Sequence, residues 1–394
     1  MDNRNKIESR RPTIVIAGAG PAGSSLAIRL AVAGIDVTLI ERDRFPRQKL
    51  CGEFISPESL AHFSDLGVAD MMFAIGGDRI TDTCFYAPSG RSVTVSSNWF
   101  GSAGALSISR AAMDLILLNR AAEAGVKVLS ETAVTGIRVE SGMVRGLRVK
   151  SSAGTLTEID GDLFIDATGR ARHVARMAER TSVTAPETPR TNPFIGFKAH
   201  LDGVDLKRGR CEIYLFDGGY GGLSHVEDGA ANHCFIVRAE KFRQAGSVDR
   251  LLEETVYKNP RAAGALRGSV PRFEWLAVAV SSFGRSPAQT VPNLVNIGDA
   301  AAFIDPFTGS GMLMAFESAE LLSRVIEDGA TDDIGNRFRL MYDARFGRRL
   351  RVCSMLRSAA FWPRAGGLVI AALGLSERLT GRIARATRSS VGNG

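Results

Sequence analysis

The sequence lacks the cysteine and histidine patterns that build disulfide frameworks or metal sites. Its five cysteines are an odd number with no C-x-x-C pair, and its five histidines show no H-x-x-x-H spacing. A disulfide scaffold and a zinc site are both disfavoured, so we expect no bound metal. Unpaired thiols are typical of a reducing compartment, which predicts a cytoplasmic protein.

Long hydrophobic runs and concentrated charge are also missing. The longest late apolar run, residues 366–375, is about half of the roughly 18 residues that a membrane span needs. The N-terminus is polar and has no signal-peptide core. The net charge is +7, but the basic residues are scattered and form no stripe interleaved with aromatics. We therefore expect no nucleic-acid partner.

The first 41 residues do contain a strand–helix–strand pattern. Residues 13–17 and 36–40 are short apolar runs typical of buried strands, and residues 21–33 have helical apolar spacing. The turn after the first run reads GAGPAG over residues 18–23, the G-x-G-x-x-G pattern of dinucleotide-binding folds. These three elements in this order predict a βαβ unit.

Each glycine of the turn has a distinct expected role. Gly18 allows the tight turn, Gly20 lets a pyrophosphate approach the backbone, and Gly23 lets helix and strand pack closely. Glu41 ends the second strand about 20 residues further on, where an acid accepts hydrogen bonds from ribose hydroxyls and repels a 2′-phosphate. The unit therefore predicts a dinucleotide without a 2′-phosphate.

Four separated blocks resemble the flavoprotein family that includes p-hydroxybenzoate hydroxylase, the geranylgeranyl reductases and the flavin-dependent halogenases. The blocks are residues 18–41, the loop of residues 41–57, Arg110 at the start of its helix, and residues 296–311. The resemblance extends to about residue 330 and implies FAD as the cofactor. The residues that it assigns to FAD are Gly18, Gly20, Ala22, Gly23, Glu41, Arg42, Cys51, Gly52, Arg110, Val134, Gly169, Gly298, Asp299, Pro306, Gly309 and Gly311.

Three side chains are candidates for the chemistry. Cys51 belongs to the loop that the reductases place near the flavin, which makes it the candidate catalytic residue. Tyr220 and His225 lie in a glycine-rich segment and are substrate-side candidates for relaying protons. The residues alone also allow all three to be structural. Only Tyr220 matches the reductases' Y-x-W-x-F-P segment, Thr168 replaces the aspartate usual in the hydroxylases, and the halogenase W-x-W-x-I-P motif is absent.

The resemblance implies an α/β fold: a discontinuous Rossmann-type FAD-binding domain, an inserted β-rich substrate domain and C-terminal helices. The predicted divisions are residues 1–75, 102–185 and 286–335 for FAD, 76–101 and 186–285 for the substrate, and 336–394 for the helical end.

The expected function is an FAD-dependent oxidoreductase that acts on an apolar small molecule, with NAD(P)H as a transient reductant. Monooxygenation of an aromatic or polyketide-like compound is favoured, because hydroxylases outnumber reductases on this fold. One alternative is reduction of double bonds in an isoprenoid or quinone side chain, and another is a non-catalytic or electron-transfer flavoprotein. The arginines and apolar residues of the C-terminal segment also allow a peripheral membrane contact.

Overall fold

The computed structural model describes residues 12–100, 104–181, 193–280, 283–304, 309–329, 333–360, 370, 380 and 381. The strands are β1 (Ile14–Ala17), β2 (Val37–Ile40), β3 (Phe54–Ile55), β4 (Asp78–Ile80), β5 (Asp82–Tyr86), β6 (Ser92–Ser96), β7 (Ala105–Ser107), β8 (Lys127–Leu129), β9 (Thr132–Glu140), β10 (Met143–Ser151), β11 (Leu156–Asp160), β12 (Leu163–Asp166), β13 (Phe194–Asp202), β14 (Arg210–Phe216), β15 (Gly219–His225), β16 (Ala231–Arg238), β17 (Val270–Pro271), β18 (Leu276–Val280), β19 (Gly284–Arg285), β20 (Gln289–Val291), β21 (Leu294–Asn296) and β22 (Ala302–Phe303). The helices are α1 (Pro21–Val32), α2 (Ser59–Asp65), α3 (Ala69–Ala74), α4 (Arg110–Glu123), α5 (His173–Thr181), α6 (Ala239–Ala245), α7 (Val248–Glu254), α8 (Pro260–Leu266), α9 (Gly311–Glu327) and α10 (Ile334–Ala360).

The first layer is a six-stranded sheet in the order β20-β21-β12-β1-β2-β8. All its pairs are parallel except β20 with β21 at one edge. The residues of β1, β2 and β12 are buried throughout because both faces of the sheet are covered. One face packs on α1, α4, α9 and α10, and the other on α5 and the β9–β10 hairpin.

The second layer is an eight-stranded sheet in the order β17-β13-β16-β15-β14-β5-β6, with β18 also paired to β13. Its side chains alternate between two faces, as strand geometry requires. Phe197, Leu201, Tyr214 and Phe216 are on the face that packs with α7 and α8. The opposite face, which carries Ile213 and Leu215, lines the main cavity.

Two strands pair differently from what their local patterns suggested. Of the short apolar segments in series from residue 127 onwards, which are typical of a single antiparallel meander, only β9, β10 and β11 form one. β8 instead joins β2 in the parallel sheet. β4, placed in the substrate part by the predicted division at residue 76, pairs with β7 in a small sheet with β3. β4 and β8 have only three residues each, too few for their local pattern to determine which strand they pair with.

The C-terminal helix α10 is part of the packing around the parallel sheet. Phe338, Tyr342, Phe346, Leu350 and Cys353 are buried in the same core as α1 and α9. Of the helices that the structure describes, none is at once long enough and apolar enough to cross a bilayer.

Candidate cofactor and substrate site

A cavity of about 1080 Å³ lies between the carboxyl end of the parallel sheet and the second sheet. The turn after β1 opens into it at the point where strand order reverses, with β2 on one side of β1 and β12 on the other. Ligands of open α/β sheets bind at such a switch point. The predicted site residues that line the cavity are Gly18, Gly20, Ala22, Glu41, Arg42, Cys51, Gly52, Arg110, Val134, Gly169, Tyr220, Asp299, Gly309 and Gly311.

Of the four other predicted residues, the three that the structure describes do not line this cavity. Gly23 and Gly298 pack behind the wall, where each allows a close approach to a neighbouring element. His225 Nε2 lies 2.9 Å from the carbonyl oxygen of Leu206. Five positions separate His225 from Tyr220 on β15, so the two side chains point to opposite faces. Pro306 lies outside the described residues.

The glycine turn leaves a space that a phosphate can enter. A Cβ atom on Gly18, whose φ is +103°, would lie 2.4 Å from the carbonyl oxygen of Ala167. Gly20 has only the Arg110 guanidinium nearby, 3.8 Å from where its Cβ atom would be, and its surroundings are otherwise open. α1 begins at Pro21 with no side-chain cap, so its first amides are available to an anion.

Glu41 ties the end of β2 to this turn. Its Oε2 atom accepts a hydrogen bond from the backbone N–H of Ala19 (2.9 Å), and its Oε1 atom accepts one from Asp43 (2.9 Å). The guanidinium of Arg47 lies 3.4 Å from Oε2. A carboxylate has about four lone-pair sites, so capacity remains for a ribose hydroxyl.

Arg110 is held towards the cavity by a buried carboxylate. Its Nε and Nη2 atoms donate to the two oxygens of Asp114 at 2.8 and 2.7 Å, and Arg47 Nη1 contacts the same carboxylate at 2.5 Å. Burial disfavours the charge of Arg110, but Asp114 and then Cys51 raise its pKa. Arg47 and Arg110 thus share the carboxylate of Asp114, with Glu41 also beside Arg47, and both guanidinium groups lie in the cavity wall. Neither Arg47 nor Asp114 was among the predicted FAD residues, although Asp114 lies one helical turn after Arg110.

The loop with Cys51 is fixed by a buried ionic network. The Oε1 atom of Glu53 accepts hydrogen bonds from Lys198 Nζ (2.5 Å) and from the backbone N–H of Arg110 (2.7 Å). Its Oε2 atom lies 2.7 Å from His200 Nε2. Burial alone would raise the pKa of Glu53, but Lys198 and His200 outweigh it and lower this pKa.

The same loop holds Cys51 in the cavity wall. The backbone N–H of Glu53 donates to Cys51 Sγ (3.3 Å), and Asn232 Nδ2 donates to the Cys51 carbonyl oxygen (3.1 Å). Lys198 and His200 lie two residues apart on β13, so both point from one face of the sheet towards the loop. That spacing was the only signal of this network in the sequence.

The glycine-rich block of residues 296–304 and 309–312, here called the late glycine block, closes the cavity from the opposite side. Gly298 has a φ of +57°, and its Cβ atom would lie 2.9 Å from that of Ala22, so the block packs against α1. Burial raises the pKa of Asp299 to about 6, and Arg170 and Arg110 oppose this only in part. Asp299 lines the cavity. Because of its raised pKa, a fraction of its carboxyl groups is protonated and uncharged near neutral pH.

The raised pKa of Asp299 predicts a pH dependence of the FAD-free protein. In an unfolded chain the aspartate pKa is about 3.9, so between about pH 4 and 6 the folded state binds more protons. Stability should then fall as pH rises through this window. We expect Asp299→Asn to remove that slope, measured as urea midpoints in closely spaced buffers. A slope that persists in the variant would assign the titration to another group.

The half of the cavity that faces the second sheet is mainly apolar. The hydroxyl and thiol side chains that its strands contribute are Thr83 on β5, Cys211 on β14, Tyr220 on β15 and Cys234 on β16. The apolar lining residues of β5, β6 and β14 and of the late block are Phe85, Val93, Val95, Ile213, Leu215, Phe303, Ile304 and Met312. Val134 lines the other end, where its carbonyl oxygen lies 2.8 Å from His173 Nε2.

Comparison with known proteins identifies the cofactor. Residues 11–333 match the FAD binding domain family. The chain is 28% identical to digeranylgeranylglycerophospholipid reductase of Methanosarcina acetivorans, over 78% of this chain and 73% of the relative. It is 26% identical to menaquinone reductase of Mycolicibacterium smegmatis, over 90% of this chain and 86% of the relative.

Solved structures share the fold. The flavin-dependent brominase Bmp2 superposes with a TM-score of 0.79 at 18% identity, over 95% of this chain and 94% of the other. A geranylgeranyl bacteriochlorophyll reductase-like protein of Thermoplasma acidophilum gives 0.72 at 20% identity, over 97% and 94%. The predicted fold class and the predicted FAD cofactor are confirmed.

The residues present fit FAD. The open cradle at Gly20, the free amides at the start of α1 and the positive charge of Arg110 suit a pyrophosphate. Glu41 suits a ribose, and the volume beyond them is large enough for a ring system and a second ligand. Among the described residues, no group of three or more His, Cys, Asp or Glu side chains is arranged to hold a metal ion.

Proposed function

Because the chain belongs to the FAD binding domain family, we propose that it is an FAD-dependent reductase of carbon–carbon double bonds in an isoprenoid or quinone side chain. This reverses the preference for monooxygenation drawn from the sequence. The two curated relatives named above are both reductases, and no finding specifically favours oxygen insertion. The observation that carries the proposal is the apolar wall of β5, β6 and β14 in the same cavity as the Cys51 loop.

The cofactor and the chain have separate tasks in this proposal. Bound FAD supplies hydride transfer. Gly20, Glu41 and Arg110 bind its phosphates and ribose, and the apolar strands align the side chain of the substrate and exclude water. NAD(P)H is proposed as the reductant that binds transiently.

Adding hydride to a double bond also requires a proton, and two cavity groups are placed to donate it. Cys51 Sγ lies in the loop braced by Glu53, and Tyr220 lies on the facing strand β15. A thiol and a phenol each have one hydrogen that can be donated. We assign the donation to Cys51, because its loop belongs to the block that the reductases place near the flavin.

Substitution of Cys51 tests that assignment. Loss of a general acid lowers the rate by roughly 100-fold or more, so Cys51→Ala should lower kcat for double-bond reduction to that extent. Reduction of the bound flavin by NAD(P)H should be unchanged in stopped-flow experiments. Tyr220→Phe is the matched variant. The opposite pattern, with Tyr220→Phe slow and Cys51→Ala near normal, would assign the donation to Tyr220.

The reaction type is tested by the mass of the product. Purified holoenzyme is incubated anaerobically with NADPH and either menaquinone or a geranylgeranyl lipid, and the products are analysed by mass spectrometry. A gain of two hydrogens per double bond supports the proposal. Incorporation of one oxygen atom, seen only in air, would favour monooxygenation instead. Failure of NADH and NADPH to reduce the flavin, with rapid reduction by a protein donor, would favour an electron-transfer flavoprotein.

A further inference from the structure

The outer face of α10 has a pattern that neither the fold nor the proposed reaction uses. At about 100° per residue, Leu340, Met341, Ala344, Arg348, Arg351 and Met355 fall within an arc of roughly 100°; we call these six residues the α10 stripe. All six are exposed. Leu340, Met341 and Met355 have exposed fractions of 60%, 43% and 74%, and they are three of the eight large exposed hydrophobic residues in the described chain.

The stripe points outward because the opposite face of α10 is fixed. Phe338, Tyr342 and Phe346 are buried against the core with α9. Arg349 donates from Nη1 to Glu317 Oε2 at 2.6 Å, which anchors the middle of the helix. The packing of this opposite face therefore fixes the orientation of α10 and keeps the stripe exposed.

The charge of the stripe has one sign. It contains two arginines and no acidic residue. The acidic residue nearest in sequence, Asp343, lies on another side of the helix and forms an ion pair with Arg285. Arg337, at the start of the stripe, is paired with Asp328 at 3.1 Å. Exposed methionine and leucine side chains beside arginines that have no ion pair within the described residues are suited to an interface that is both apolar and negatively charged.

A recess beside the stripe shares two wall residues with the main cavity. It measures about 500 Å³, and its wall on α10 includes Leu350 and Arg351. Phe303 and Ile304 line both this recess and the main cavity. Contact of the stripe with a bilayer would thus bring apolar space that adjoins the cofactor cavity close to the lipid.

We propose that the α10 stripe docks the protein on an anionic lipid bilayer. Arg348 and Arg351 contact the lipid phosphates, and Leu340, Met341 and Met355 enter the interfacial layer. Binding at the surface does not depend on the reaction type.

The test uses full-length holoenzyme and sedimentation with vesicles of phosphatidylcholine, with and without phosphatidylglycerol. Wild type should bind the anionic vesicles, bind less as salt increases, and not bind pure phosphatidylcholine. Each arginine near an anionic surface contributes electrostatic binding free energy. The loss of two arginines in R348Q/R351Q should therefore weaken partitioning by about 30-fold. L340S/M355S should abolish the binding that remains at high salt.

The matched control is R250Q/R267Q, which removes the same charge from exposed arginines of α7 and of the residue after α8. It should change partitioning by no more than about twofold. FAD content and turnover of a detergent-solubilised substrate report folding and activity separately, so loss of docking and failure of the proposed reaction are distinguishable. The proposal is overturned if R348Q/R351Q binds like wild type, if both double-arginine variants lose binding equally, or if wild type ignores anionic vesicles.

Discussion

Glu53→Gln is expected to lower the free energy of unfolding by about 3–5 kcal/mol, because it removes one partner of a fully buried ion pair. The ammonium of Lys198 and the carboxylate of Glu53 both have no solvent exposure and lie 2.5 Å apart. Glutamine is close to glutamate in size, so little volume changes. The loss therefore comes from leaving Lys198 charged in the interior with no anion beside it.

A double-mutant cycle separates this charge effect from loss of contacts. Lys198→Met alone should also destabilise strongly, because the buried charge of Glu53 then keeps only His200 and the backbone N–H of Arg110 as partners. E53Q/K198M should be much less destabilised than the sum of the two single variants, since neither charge then remains. Guanidinium denaturation of the FAD-free proteins at fixed pH measures all three. Additive losses would show that Glu53 and Lys198 act independently.

E53Q should also disturb the loop that carries Cys51. Glu53 is bonded to the backbone N–H at the start of α4, and its own N–H donates to Cys51 Sγ. Because Lys198 Nζ also donates to Gln48 Oε1 at 2.9 Å, the network holds both ends of the segment 48–53. We expect E53Q protein that still folds to show an altered flavin absorption spectrum. An unchanged spectrum would limit the role of Glu53 to stability.

The contrast between this network and the glycine turn explains what the sequence could reveal. The turn, α1 and Glu41 lie within about 30 residues, and each has a residue type that its task demands. The Glu53 network joins residues that are 145 and 147 positions apart. Nothing in the local pattern of Lys198 distinguishes a buried lysine from one on the surface of a strand. Lys198 is buried only because the fold brings Glu53 next to it.

The two substrate-side candidates illustrate the same limit. Tyr220 and His225 lie five positions apart on one strand and so point to opposite faces, but this spacing does not show which of the two faces meets the cavity. The alternation of β14 and β16 determines which face meets the cavity, and it directs Tyr220 inward and His225 towards Leu206. Asp299, by contrast, was predicted from the resemblance of residues 296–311 to the flavoprotein family.

Alanine at Gly20 and at Gly23 should have opposite consequences, although the two positions lie three residues apart. Gly20 has a φ of −77°, which any residue adopts, and a Cβ atom there would extend into the cavity. G20A should therefore fold normally but bind FAD more than about 100-fold more weakly, because the added methyl group occupies the space of the pyrophosphate. Isothermal titration of the FAD-free protein with FAD measures this loss.

Gly23 faces the backbone of its own turn rather than the ligand. A Cβ atom there would lie 1.9 Å from the carbonyl oxygen of Gly18 and 3.1 Å from the Cβ atom of Ala167, so α1 must move away from β1 and β12. G23A should lower the unfolding free energy of the FAD-free protein by about 3 kcal/mol or more, measured by the denaturant midpoint, while G20A leaves it within about 0.5 kcal/mol. If G20A instead destabilised the FAD-free fold as much as G23A, the open space at Gly20 would have a structural role, and the pyrophosphate would have to bind elsewhere.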